Sequence, residues 1–286
     1  MKLQALVVPY DSGFRGLRMG AGPERLLKSG ILDGLGNAHR PLDVSVHTFE
    51  GAKGGLRGEV ASAFEIQQWL ATHVSSAREE SAFPLVLAGN CITAAGTIGG
   101  LQARSRRVPG VCWLDAHADF NTPETTDSGF LDGMALATLT GRCWRQLTRK
   151  IPGFRPIPES QVLLFGARNL DAGERRLLDE SEVHWIKPPY HGEGPSATLR
   201  TLRQRFGEVY LHIDLDVIDA AEGRANSYAS AGGLSRARLL DLVREISTTF
   251  HVGAAAITAY DPSCDPENRI PGIAKDVVRA LSEVMA

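Results

Sequence analysis

The sequence predicts an α/β protein of three layers, α/β/α, built on a mainly parallel sheet of about eight strands. Three observations carry that expectation. Short apolar runs recur along the whole chain, the stretches between them carry helical apolar spacing, and the runs are nearly continuous rather than alternating. A strand that reads as an unbroken apolar run is buried on both faces, as in a parallel sheet covered by helices on each side.

Taken in order, the runs are "LQALVVPY" from Leu3, "VSVHTF" from Val44, "FPLVLAG" from Phe83, "GVCWLDAH" from Gly110 and "QVLLFGAR" from Gln161. "EVHWIK" from Glu182, "VYLHIDLD" from Val209 and "GAAAITAYD" from Gly253 complete the set. Helical spacing joins Ile66, Leu70 and Val74. A second helix opens at Ser235 and carries Leu239, Leu240, Val243 and Ile246; a third carries Ile273, Val277, Val278, Leu281 and Val284. "PPYHGEGPS" from Pro188 reads as a loop and is too short to separate two domains. No internal repeat or low-complexity tract interrupts the pattern, so residues 1–286 are expected to form a single domain.

Composition narrows the function classes. With 31 Lys and Arg against 33 Asp and Glu, the net charge is -2, which supplies no basic field for nucleic acid or anionic lipid. No apolar run approaches the roughly 18 to 20 residues of a membrane span. The four cysteines, Cys91, Cys112, Cys143 and Cys264, show no CxxC pairing and do not suggest a disulfide scaffold. The opening residues read as a first strand rather than a secretion signal, and a reducing cytoplasm is the expected location.

In such a sheet ligands bind beyond the carboxyl ends of the strands. There "WLDAHADFN" places Asp115, His117 and Asp119 at alternate positions, expected on one face of extended backbone. "VYLHIDLDVID" repeats the arrangement with Asp214 and Asp216. Four aspartates aimed into one crevice repel one another unless a cation sits among them. Oxygen-rich sites with an imidazole suit Mn²⁺, Mg²⁺ or Fe²⁺, and shared carboxylates allow two ions close together.

With these motifs the sequence resembles the ureohydrolase family of arginases and agmatinases. "GFRGLRMGAGPERLLKSGIL" is similar to the family's glycine-rich opening, "DAHAD" to its first ligand motif and "DLDVID" to its second. The resemblance implies an arginase-like fold and a manganese-dependent hydrolase that cleaves a C–N bond of an amidino or guanidino amino acid through a metal-bridging hydroxide. It assigns one ion to Cys91, Asp115, Asp119 and Asp214, and the other to His117, Asp115, Asp214 and Asp216. "DFNTPETTDSG" resembles the loop that holds the substrate α-carboxylate in arginases, which points to Asn121 and Ser128, and "FGARNLDAGE" puts Asp171 at the α-amino contact. A small amino-acid-like substrate and a homo-oligomer, trimer or hexamer, are implied as well.

Several positions depart from the family pattern. Cys91 in "AGNCI" stands where a histidine ligand is usual. Thiolate is a soft ligand that shifts preference toward zinc, cobalt or iron. A thiolate-completed site of two ions, a site keeping one ion and an inactive site all remain open, and a hydroxyarginine-hydrolysing branch tolerates cysteine here. His212, about 6.6 Å along the strand from Asp214, is expected to pack behind the site rather than bind metal. Asp132 replaces the proton-shuttling histidine, with Phe130 in a neighbouring asparagine position. With an ordinary pKa it would be ionised at neutral pH, either pairing with a cationic substrate group or solvated in its loop. Asp132 and Asp119 are the catalytic candidates. Ala259 replaces the guanidinium-binding glutamate, and Asp261 could compensate only if backbone or substrate shifts. An N-modified arginine is therefore among the expected substrates; a non-catalytic homologue that binds an amino acid or regulates a partner, and a mononuclear metal hydrolase, are the alternatives.

Overall fold

A computed structural model describes residues 2–33, 39–43, 55–103, 105–188, 190 and 194–285. One sheet contains β1 (Lys2–Val8), β4 (His39–Asp43), β5 (Ala82–Ala88), β6 (Gly110–Leu114), β7 (Val162–Phe165), β8 (His184–Ile186), β9 (Glu208–Asp214) and β10 (His251–Thr258). The order across it is β4-β1-β5-β10-β9-β6-β7-β8, and every neighbouring pair is parallel. A small antiparallel pair, β2 (Tyr10–Asp11) and β3 (Phe14–Arg15), follows the first strand.

Seven of the expected runs are strands. The eighth, Val44 onward, lies outside the described residues, and the strand beside β1 is His39–Asp43. The expected loop at Pro188 lies partly outside the described residues, and its last three residues open a helix rather than continue the loop.

The alternation of side chains explains the three layers. On β6, Val111 and Trp113 enter one core while Cys112 and Leu114 enter the other. On β9, Tyr210 joins the first core, and Val209, Leu211 and Ile213 join the second. The first core is covered by α2 (Leu56–Glu79), α3 (Ala94–Gln102) and α4 (Ala135–Leu139), with Ile66, Leu70 and Val74 buried as their spacing predicts. The second is covered by α7 (Gly194–Arg203), α8 (Arg236–Thr249) and α9 (Ile270–Met285). Ser235 starts α8 by accepting the Arg238 N–H on its hydroxyl at 3.2 Å, satisfying one of the orphan donors of a helix start. Among the described residues the remaining α-helices are short: α1 (Gly22–Lys28), α5 (Arg145–Thr148) and α6 (Ala172–Asp179). Among the described residues no helix is long and apolar enough to cross a membrane.

Candidate metal centre

The acidic motifs converge, but not by strand alternation. β6 ends at Leu114 and β9 ends at Asp214, so Asp115, His117 and Asp119 lie in the loop after one strand and Asp216 in a single 3-10 turn after the other. Asp119 takes a left-handed backbone, φ 49°, which breaks any extended continuation. Convergence comes from one hydrogen bond between the loops and one that folds each loop on itself. The Ala116 N–H donates to Asp216 Oδ1 at 3.1 Å, the His117 N–H to Asp115 Oδ1 at 2.8 Å and the Asp216 N–H to Asp214 Oδ1 at 2.8 Å.

His117 Nδ1 stands 3.4 Å from both Asp115 Oδ1 and Asp216 Oδ2. Burial pulls its pKa down, yet the charges of Asp216 and Asp115 outweigh this and leave it well above the ordinary value. Asp216 is lowered for the reciprocal reason, since His117 overcomes the effect of burial. The other acids are displaced the opposite way. Burial pushes Asp115 up to about 6 and holds Asp214 and Asp119 well above the carboxylate range, with neighbouring carboxylates adding to the rise.

Cys91 follows β5 in a 3-10 turn that leads into α3. Its thiol donates to Asp214 Oδ2 at 3.1 Å and lies 3.2 Å from Thr258 Oγ1. Burial, then Asp132 and Asp214, raise its pKa far above the usual thiol range. Behind it Thr258 Oγ1 pairs with His212 Nε2 at 3.2 Å, and His212 Nδ1 with the Tyr210 hydroxyl at 2.8 Å. The His212 ring is stacked on Trp113 at 3.6 Å, and burial depresses its pKa to about 3. Both nitrogens therefore have protein partners, as expected of a packing histidine. One of them nevertheless belongs to a group with Cys91 and Asp115 whose ligand atoms lie within 4.8 Å of one another; Asp115, His117 and Asp216 form a second such group.

The donor set fits divalent metal. Two such groups share Asp115, and Asp119 and Asp214 are in neither of them but line the same cavity; most of the carboxyl pKa values are raised as unneutralised acids should be, and Asp119 Oδ2 is buried without a hydrogen-bond partner.

Above this floor opens a cavity of about 240 Å³, lined by Cys91, His117, Asp119, Asp214 and Asp216 and also by Asn121, Ser128, Asp132 and Asp171. Every site residue expected from sequence except Asp115 lines it, and Asp115 lies fully buried beneath. Asn121 Nδ2 donates to Asp171 Oδ2 at 2.9 Å, which sets the two expected amino-acid contacts side by side. Ser128 is exposed and accepts the Phe130 N–H at 3.1 Å.

Asp132 departs from expectation. It is only 6% exposed, so it is neither solvated nor of ordinary pKa: burial, reinforced by Asp11, pushes it up to about 8 against the hydrogen bonds from Ile92 N–H (2.7 Å) and Asn90 Nδ2 (3.0 Å). Asp261 does not compensate for Ala259. Ala259 has φ 61°, which breaks the alternation on which a shared strand face depends. The Asp261 carboxylate instead accepts from Ser263 N–H at 2.9 Å and Ser263 Oγ at 2.7 Å, capping the next turn.

Four supporting residues were not anticipated. Trp113 Nε1 donates to Asp115 Oδ2 at 3.1 Å, and Asn226 Nδ2 to Asp216 Oδ2 at 3.2 Å. Glu174 accepts the Phe120 N–H at 2.9 Å and is pushed by burial up to about 7. Arg168 donates to backbone carbonyls around the Asp216 turn. Trp113 stands two residues before Asp115 in the same apolar run, and Arg168 and Glu174 lie within "FGARNLDAGE" with no role of their own expected there; Asn226 carried no sequence signal.

The arginase family model matches residues 3–282. An arginase of Bacillus caldovelox is 28% identical over 288 residues, covering 96% of this chain and 95% of that protein. An arginase of Bacillus subtilis (strain 168) is 32% identical over 218 residues, 74% of this chain and 73% of that protein. Among solved structures, an arginase from Bacillus subtilis matches with a TM-score of 0.84 at 26% identity, covering 98% of each chain. A formimidoylglutamase from the same species shares the fold, with a TM-score of 0.79 at 18% identity over 100% of this chain and 87% of that one.

Proposed function

This chain belongs to the arginase family, whose members hydrolyse amidino compounds with a divalent metal, and from that premise we propose that it cleaves a C–N bond of an amidino or guanidino amino acid. The observation that carries the reading is one cavity with an acidic floor and a polar rim: Asp119, Asp214 and Asp216 are buried in it, Ser128 and Asp171 are more exposed, and the buried Asn121 is bonded to Asp171. A free amino acid has a carboxylate and an ammonium at one end, and the rim offers neutral donors for the first and the Asp171 carboxylate for the second.

Manganese, two ions per chain, is the proposed complement, held by Cys91, Asp115, His117, Asp119, Asp214 and Asp216, with one ion or another divalent metal as the variants that Cys91 invites. When bound, it supplies the Lewis-acid chemistry that activates water and polarises the amidino carbon. The protein's own groups do the rest. Asn121, Ser128 and Asp171 fix the amino-acid end so that the side chain projects toward the acidic floor. Asp132, protonated near neutrality at a pKa of about 8, is poised to give a proton to the departing nitrogen. Burial of the floor keeps bulk water away from these charges. Residues 1–286 acting as one domain, and a cytoplasmic homo-oligomer, trimer or hexamer, belong to the same proposal; sedimentation velocity reads the assembly.

The test is a metal count. Protein purified without chelator from manganese-supplemented cells is analysed as native and Cys91→His forms, alongside urea release from arginine and N-hydroxyarginine. Close to two ions in the native form, with turnover, is the expected result. One ion that rises toward two in Cys91→His favours a mononuclear hydrolase. No metal and no turnover in either form sinks the hydrolase reading and leaves an amino-acid-binding homologue.

A further inference from the structure

The cavity is not acidic throughout. Beside the metal-binding side chains it is lined by Phe130, Tyr228, Met19 and Ala259, and no Lys or Arg reaches it among the described residues. Tyr228 is 48% exposed, one of three large apolar side chains so exposed among the described residues. Its ring is held in place all the same. It stacks on Phe130 with centroids 5.8 Å apart and planes at 23°, and meets His117 edge-on at 6.3 Å. The Tyr228 N–H donates to Asn226 Oδ1 at 2.9 Å, and Asn226 Nδ2 is bonded in turn to Asp216 Oδ2 and, at 2.9 Å, to the Ala259 carbonyl. The aromatic pair is thus tied to the acidic floor at the place where a substrate's reacting end must lie.

A bare guanidinium presents five N–H donors and needs acceptors around its edge. Near Ala259 they are missing: its side chain is a methyl, and its carbonyl already accepts from Asn226. Asp132 is turned to Ile92 N–H and Asn90, and Asp171 is assigned above to the amino-acid end of the substrate. What Phe130 and Tyr228 offer is carbon surface left partly uncovered at the cavity wall, beside the buried methyl of Ala259, and such surface gains from burying carbon.

Resting on the amidino-hydrolase reading, we propose that Phe130 and Tyr228 are specificity-determining residues that receive an apolar substituent on the outer nitrogen, so that the substrate class is N-alkylated guanidino or amidino amino acids. For Nω-methylarginine the step balances as a hydrolysis. Water oxygen bonds to the guanidino carbon, the bond from that carbon to the side-chain nitrogen breaks, and this nitrogen leaves with a proton as the ornithine amine. The carbon departs as N-methylurea. No other reactant is needed.

The experiment compares arginine with Nω-methyl-L-arginine on the metal-loaded native protein, Phe130→Ala and Tyr228→Ala. It reads kcat and KM from urea or methylurea release, binding by calorimetry, and metal per subunit. The native protein should favour the methylated compound by about tenfold in kcat/KM, the scale of one carbon in an apolar pocket. Each substitution should remove that preference chiefly through KM while metal content stays constant. A native preference for arginine, or a preference that survives both substitutions, overturns the proposal. Absence of turnover on both compounds would count against the hydrolase reading, and calorimetry would still decide this one: tighter binding of the methylated compound, lost in Tyr228→Ala, supports it, and equal binding overturns it.

Discussion

Arg168 donates to the carbonyl oxygens of Gly166, Asp216, Val217, Ile218, Ser230 and Ala231, joining the end of β7 to the turn that carries Asp216 and to the loop before α8. Removing a charged donor from several carbonyls should cost about 2–4 kcal/mol, and Arg168→Met should also loosen metal retention because the Asp216 turn loses its brace. Lysine should rescue little, since a point charge cannot reproduce the planar fork. Urea denaturation and chelator competition measure both effects; unchanged metal affinity would count against the bracing role. No sequence pattern announces such a residue, because its acceptors are backbone groups from distant segments. The aspartates and His117 were legible because their spacing repeats at two strand ends. For Asp132 it is the solvated-loop alternative that fails, because a glycine-flanked loop looks solvated until the turn at Asn90 and Ile92 folds over it.

The carboxyl end of β5 is pressed against other backbone. A Cβ added at Gly89 would lie 2.2 Å from the Tyr10 carbonyl oxygen and 2.9 Å from Gly20 Cα. Gly89→Ala should therefore destabilise by about 1–3 kcal/mol through overpacking and displace the neighbouring Cys91 turn. The expected outcome is a lower denaturation midpoint together with less bound metal; a loss of stability with full metal content would separate the packing from the site. The α2–α3 contact is equally close, since a Cβ at Gly96 would meet the Gln67 carbonyl oxygen at 2.5 Å and one at Gly100 would meet Val74 Cβ at 2.5 Å. Among the elements, buried strands were legible as apolar runs. β4 was not, because "HRPLD" has no strand pattern and becomes one only by pairing with β1 at the sheet edge, where Pro41 is tolerated.

The whole molecule stores its acids against their preference, which makes stability depend on both pH and metal. Burial raises Asp115, Glu174 and Asp132 to about 6, 7 and 8. A raised folded pKa gives stability that is complete below the unfolded value, about 4 for a carboxyl, and is lost as pH climbs through the folded value. His117, raised by Asp216 and Asp115 despite burial, loses its contribution in the same direction; Asp216, lowered, loses its own only in acid. The metal-free protein should thus melt lower as pH rises from about 5 to about 8.5, while ionised ligands bind cations better. Thermal scans with chelator and with Mn²⁺ should show a gap that widens with pH, and a constant gap would sink this account. The layered architecture was legible at this scale, whereas the strand order was not, because no local signal sends the last strand to the middle of the sheet.

That placement of β10 has a temporal consequence. In the sheet β10 alone joins β4-β1-β5 to β9-β6-β7-β8, so until His251–Thr258 leaves the ribosome β5 and β9 each lack a neighbour and should present an open edge. Cys91 belongs to the first half, and Asp115, His117, Asp119, Asp214 and Asp216 to the second, although all of them have already been synthesised. The meeting of Cys91 with the other five residues should therefore await β10, and the two edges it closes are where the unfinished chain should be most open to mispairing.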